Sequence, residues 1–179
     1  MTITAFRPAN INDVTTLVQL VNTAYHPEPD TGSWTNESRF VLGTRTNEKS
    51  LENLLVKSDS VVLLGLQEDA ISACVHLEIV ENHAHIGMLA VKPSLQCVGI
   101  GKQMLAEAEA YASSHFKVEK FVLIVISLRE ELLAFYLRRG YRKTARMIDY
   151  ALLCGETCDA KVDGLQFVVL EKLVANRKS

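Results

Sequence analysis

Apolar residues alternate with polar ones over Ile3–Phe6, then recur at helical spacing at Val14, Leu17, Val18, Val21 and Ala24. The first pattern predicts a short strand and the second a helix with one apolar face. Asn10 is placed to cap that helix, with Asp13 three residues on in a capping-box-like position. Pro27 and Pro29 end it. From His26 to Lys49 the chain is polar, carries Gly32, Trp34 and Gly43, and loses its periodicity. So long an irregular insertion in a small domain is more often functional than average. Ser50 is then the expected cap of a short helix through Leu51, Leu54 and Leu55.

Three strands follow. Val61–Leu66 is almost wholly apolar, which suits a central strand. Turns at Glu68-Asp69 and Glu81–His83 lead to Ile71–Val80 and Ala84–Val91, an antiparallel meander. After the loop Lys92–Val98, a helix places Ile100, Met104, Leu105, Ala108 and Tyr111 on one face. Phe121–Ile126 is another apolar strand, and Leu132, Leu133, Phe135 and Tyr136 lie on a helix that stops near Gly140. Tyr141–Leu153 and Leu165–Leu173 read as two closing strands. The order β-α-α-β-β-β-α-β-α-β-β points to an α/β fold with one sheet and helices packed on it. The sheet is mixed, because a helix joins the fourth strand to the fifth.

The 179 residues fit a single domain, 1–179, with a proper core. Hydrophobic residues at 48% and charged residues at 22% mark a globular composition rather than a disordered one. The net charge of -2, without a long block of either sign, argues against a nucleic-acid binder. The longest apolar run, Phe121–Ile126, is strand-sized, so no membrane span is expected. The N-terminus lacks a basic stretch followed by an apolar one, which leaves the cytoplasm as the expected location. Of Cys74, Cys97, Cys154 and Cys158, only the last two are close, and no second pair completes a zinc site. They read as free thiols, and no metal is expected.

The main chemical signal is Gln96-Cys97-Val98-Gly99-Ile100-Gly101 between a strand and a helix. Glycines let backbone N–H groups approach an anion, and a helix start presents unpaired donors at the positive end of its dipole. Lys102 adds a charge in the first turn. The spacing is neither a dinucleotide fingerprint nor a Walker A loop. Alone, it is equally consistent with a glycine turn that admits close helix–sheet packing.

Taken together, His85–Gly101 and Leu132–Tyr141 resemble the GCN5-related N-acetyltransferases (GNAT), a family of acyl-CoA-dependent enzymes. The resemblance lies in the strand Ile86–Val91, Pro93, the loop in its Q/R-x-x-G-x-G/A form, and the ending Phe135-Tyr136-Leu137-Arg138-Arg139-Gly140-Tyr141. It implies a mixed, mostly antiparallel sheet flanked by helices, with the fourth and fifth strands splayed around the pantetheine arm. It implies acetyl-CoA as cofactor, held by backbone groups at Leu89, Ala90 and Val91. The pyrophosphate would lie on Cys97, Val98, Gly99, Ile100, Gly101 and Lys102, with the Gln96 side chain nearby. A backbone N–H near Leu89 would stabilise the oxyanion as an amine attacks through a tetrahedral intermediate.

Tyr136 matches the family's frequent general acid. A phenol of pKa ~10 stays protonated at neutral pH and suits a departing thiolate. Packing on the sheet is the competing reading of that residue. Many members carry Asn seven residues before the tyrosine, where this chain has Arg129, facing the cofactor or an acidic neighbour such as Glu131. The strand position often held by a family Glu is His85, a reasonable base near pKa ~6.5. Glu78 and His76 on the preceding strand are rivals, and Glu37 is another.

On the acceptor side, Trp34-Thr35-Asn36-Glu37 and Gly43-Thr44-Arg45 are similar to a W-T-x-E…G-x-R stretch of some bacterial-type members. Trp34 and Glu37 could receive an ammonium-bearing acceptor, a small molecule or a peptide amine. Alternatively, Trp34 pins the long loop to the sheet. A catalytically weak acyl-CoA-binding regulatory module is the rival function, supported by the absent Asn and Glu. Pairing of the last strands makes a homodimer conceivable.

Overall fold

A computed structural model of the chain describes residues 2–27, 33–154 and 160–175. Pro29, Gly32 and Cys158 therefore lie outside the described residues. The strands are β1 (Ala5–Pro8), β2 (Ser60–Gln67), β3 (Ala70–Val80), β4 (His83–Val91), β5 (Lys120–Ile126), β6 (Arg142–Asp149) and β7 (Gln166–Leu173). The helices are α1 (Val14–Tyr25), α2 (Glu48–Leu55), α3 (Ile100–His115), α4 (Glu130–Leu137) and α5 (Tyr150–Cys154). One seven-stranded sheet runs β1-β2-β3-β4-β5-β7-β6, antiparallel throughout except at β4–β5. The expected meander, the mixed sheet and the helix between β4 and β5 are all present.

The strand period of two divides the core. On one face Ala73, Val75 and Leu77 of β3 meet Met104, Leu105 and Ala108 of α3. On the other, Cys74 of β3 and Ala90 of β4 lie under Leu17 and Val21 of α1 and Leu51 of α2. Further along that second face, the same alternation carries His76 and Glu78 beyond the cover of α1. A smaller cluster of Phe40, Ile126, Tyr150 and Leu165 closes the β5–β7–β6 end.

Some boundaries depart from the pattern reading. β1 begins at Ala5 rather than Ile3, because Ile3 is spent in the core and Gln103 binds its N–H. The cap of α2 is Asn47, whose side chain accepts from the Ser50 N–H, so Ser50 lies inside the helix. The expected strand Tyr141–Leu153 ends at Asp149 and turns into the one-turn helix α5, where Tyr150 stacks on Phe167. β7 inserts between β5 and β6, a topology that periodicity alone does not fix.

Asn10 and Asp13 do form a capping box, on a 3₁₀ turn leading into α1. Asp13 also takes two hydrogen bonds of 2.8 Å from the Arg7 guanidinium, which hold its carboxyl below the usual carboxylate range. A depressed folded pKa adds stability above the unfolded pKa, and that stability is lost as pH falls through the folded value. Asp13→Ala should therefore cost about 1–2 kcal/mol in urea unfolding at pH 7, with the gap to wild type closing below about pH 4.

Candidate active site

Backbone pairing between β4 and β5 covers only His83–Lys120, Ala84–Phe121 and His85–Val122. Beyond that point the strands part, while β5 stays paired with β7 along its whole length. Just past the parting, β4 sets both Met88 and Leu89 against Val75 of β3, a bulge with Met88 at φ 45°. A cavity of about 620 Å³ opens here, lined by Leu89 of β4, Val125 of β5 and Tyr136 of α4 among others.

At the C-terminal end of β4, Cys97 and Gly99 take φ of 64° and 95°, and α3 starts at Ile100 with no side chain capping it. The N–H groups of Ile100, Gly101 and Lys102 thus stand at an open helix start. A Cβ added at Gly99 would meet nothing within 4 Å, whereas one at Gly101 would lie 3.8 Å from the Phe135 ring. Gly99 therefore serves backbone conformation, whereas a Cβ at Gly101 would make only an ordinary contact with Phe135. The chemistry of such a surface is anion binding. Val98 and Cys97 are exposed on the same turn.

The Gln96 side chain points away from this surface. Its Nε2 donates to the Val91 carbonyl (3.0 Å) and to Ser33 Oγ (3.0 Å), and its Oε1 accepts from the Trp34 N–H. It ties the insertion to the end of β4. Arg129 does the same from α4: only 2% of its side chain is exposed, and its guanidinium donates to the carbonyls of Trp34 (2.8 Å) and Thr35 (3.4 Å) and pairs with Glu131 (2.6 Å). The expected Glu131 contact is thus present, and the rest of Arg129 is turned to the loop.

Trp34 packs on Phe135 at a centroid distance of 5.4 Å and lines a separate, smaller pocket with Arg39 and Arg129. It does not share the main cavity with Glu37, so the two proposed acceptor contacts are not brought together. Glu37 does enter that cavity, with only 15% of its side chain exposed. Burial pushes its carboxyl above the usual range, and Arg45 and then Arg129 restrain the rise.

Tyr136 lines the cavity, and burial drives its phenol well above ~10, so it is protonated at neutral pH. Tyr25, which follows the apolar stripe of α1 and was not among the expected site residues, lines the same cavity and donates to the Leu89 carbonyl at 3.2 Å. Its signal was the end of the α1 apolar stripe. With Tyr25 on Leu89 and Gln96 on Val91, the carbonyls of these two residues already have protein partners. His85 and Glu78 face each other across β4 and β3 at the far wall of the cavity. Glu78 is ion-paired with Lys57 at 2.9 Å, which holds its carboxyl low. Burial holds the His85 and His76 imidazoles below the usual value, and His76 also bonds Ser60 at 2.9 Å.

The acetyltransferase (GNAT) family model matches residues 22–141, about two thirds of the chain. The chain belongs to this family. The PaiA N-acetyltransferase of Thermoplasma acidophilum, solved with coenzyme A, shares 22% identity, with 95% of this chain and 98% of that one covered and a TM-score of 0.67. A ribosomal-protein-alanine N-acetyltransferase from Brucella melitensis shares 16% identity over 95% and 99% of the two chains, with a TM-score of 0.70. At these identities the likeness is one of fold. No curated protein matches the chain in sequence.

The family's donor is acetyl-CoA, and the residues present fit it: an uncapped helix start for phosphates and a gap between two strands. Among the described residues of this acetyltransferase, no helix is long and apolar enough to cross a membrane. The exposed Cys97 lies on the turn before α3, while Cys74 is fully buried and its thiol is pushed up to about 12 by burial. Peptide mapping after brief N-ethylmaleimide treatment of the native enzyme should find Cys97 alkylated and Cys74 untouched.

Proposed function

We propose that this acetyltransferase moves an acetyl group from acetyl-CoA to a primary amine of a small molecule or peptide. The single observation that carries the reading is the cavity at the parting of β4 and β5, reached by Tyr136 from one side and by ionisable groups from the other. Acetyl-CoA supplies an activated thioester when bound. The N–H groups of Val98, Gly99, Ile100, Gly101 and Lys102 hold the pyrophosphate. The stretch Leu89–Val91, unpaired on its β5 side, offers N–H groups to the pantetheine arm and to the thioester oxygen.

Tyr136 donates the proton that the departing sulfur needs. Its place in the cavity and its protonated state at neutral pH make a proton available to the sulfur, although burial makes the phenol a weaker acid than a free one. The acceptor nitrogen must shed protons as it attacks, and Glu37, His85, Glu78 and His76 all line the cavity. Val41, Leu42 and Leu153 at another wall suit an acceptor whose amine is attached to an apolar group.

Two variants test the donor end. Gly99→Val places a branched side chain at φ 95°, a conformation costing on the order of 1–2 kcal/mol, so coenzyme A affinity by calorimetry should fall about tenfold. Unchanged affinity removes the turn from the cofactor site. Tyr136→Phe should lower kcat with an amine panel by about 10²-fold or more while acetyl-CoA binding stays intact. Normal turnover in that variant removes the acid assignment.

A further inference from the structure

We infer that Glu37 is the residue that accepts the proton of the acceptor amine, and that Arg129 and Gln96 are positioning residues that hold it in place. The inference rests on the amine-acetylation reading above.

Of the two cavity carboxylates, Glu37 is the more loosely paired. Among the described residues its one ion-pair partner is Arg129, at 4.0 Å, whereas Glu78 is engaged by Lys57 at 2.9 Å. It shares the cavity lining with Tyr136, the phenol assigned to the leaving group, and its N–H bonds the Tyr25 carbonyl at 2.8 Å. His76 and His85, the other basic groups of the cavity, belong to the opposite wall on the sheet.

The segment carrying Glu37 is clasped at several points. Ser33 Oγ and Thr35 Oγ1 donate to the Ala24 carbonyl (2.6 and 2.8 Å), and the Glu37 N–H donates to the Tyr25 carbonyl (2.8 Å). Gln96 grips residues 33 and 34 from the β4 end, and Arg129 grips the carbonyls of 34 and 35 from α4. A planar, buried guanidinium with two loop carbonyls and a carboxylate to satisfy is a rigid anchor. The Gln96 and Arg129 side chains, both weighed above as cofactor contacts, are thus spent on residues 33–35 of the loop that carries Glu37.

The proton balance closes with these groups. Glu37 takes one proton from the ammonium and returns it to solvent. Tyr136 protonates sulfur as the nitrogen–carbon bond forms and the carbon–sulfur bond breaks, and the phenol is restored from the second proton of the nitrogen. The charges facing Glu37 are Arg45 from its own loop, Tyr25 from α1, and Arg129 and Tyr136 from α4. Burial outweighs the two arginines and leaves a carboxylate more basic than usual.

The test begins with wild-type enzyme, acetyl-CoA and an amine panel, following release of the free thiol. No turnover with any amine sinks acetyl transfer to amines, and this inference with it. With an active amine in hand, Glu37→Gln should lower kcat by about 10²–10⁴-fold and remove the acidic limb of kcat/KM against pH, with acetyl-CoA affinity unchanged. The amine's own ionisation remains in every variant. A Glu37→Gln enzyme with wild-type kcat and acidic limb, or loss of that limb in His85→Ala instead, overturns the inference and leaves acetyl transfer standing. Arg129→Met removes a positive charge facing Glu37, so the limb should move to higher pH, and Arg129→Lys should bring it partway back. An unmoved limb in folded Arg129→Met enzyme overturns the role of Arg129. Gln96→Ala should lower kcat with acetyl-CoA affinity intact, and weaker affinity with kcat intact would return Gln96 to the cofactor.

Discussion

The constraint behind this structure is that backbone donors and acceptors buried in protein must be paired. β4 and β5 violate it by separating after three residue pairs in the middle of a seven-stranded sheet. The fold survives because each strand keeps its outer neighbour. β4 remains laddered to β3 and β5 to β7, so the opening is a slot between two rigid half-sheets. Tyr25 and Gln96 satisfy the carbonyls of Leu89 and Val91, and the bulge at Met88–Leu89 turns the strand where the slot begins. The unpaired remainder is what a ligand can use.

Around the slot, the polar insertion is held by a few polar contacts in addition to the small apolar cluster around Phe40. Arg129 is the clearest case. A guanidinium with 2% exposure is costly to bury, and it is tolerated because loop carbonyls and Glu131 fill its donors. Phe135 is shared between regions, carrying Trp34 on one side and approaching Gly101 on another. The loop between α1 and α2, the start of α3 and the helix α4 therefore meet around one aromatic ring.

Much of this was legible in the residues. Val61–Leu66, Ile71–Val80 and Ala84–Val91 are strand-like segments whose short connecting turns announced the meander, and Gly99 with Gly101 announced a tight strand-to-helix turn. The acetyltransferase family followed from that turn combined with Phe135–Tyr141. What the pattern hid was direction and partnership. Gln96 reads as part of an anion loop because of its neighbours, but its amide is claimed by residues sixty positions earlier. Tyr25 reads as the end of a helix stripe, and only the fold brings its hydroxyl to Leu89. Trp34 and Glu37 are three residues apart, and the turn between them sends one to α4 and the other to the cavity. The strand gives way to a helix at Tyr150, whose ring stacks on Phe167, a contact between distant residues that periodicity does not encode.

The amide of Gln96 has a thermodynamic consequence. It is one residue from the turn that starts α3, and it is bonded at once to β4 and to residues 33 and 34. Any ordering of that turn by one ligand is felt as ordering of the insertion. Linkage then requires reciprocity: whatever factor the first ligand lends to the affinity of the second, the second returns to the first. On the proposed reading, a single side chain of two rotatable methylenes and an amide would make donor and acceptor partners in one equilibrium, whichever arrives first.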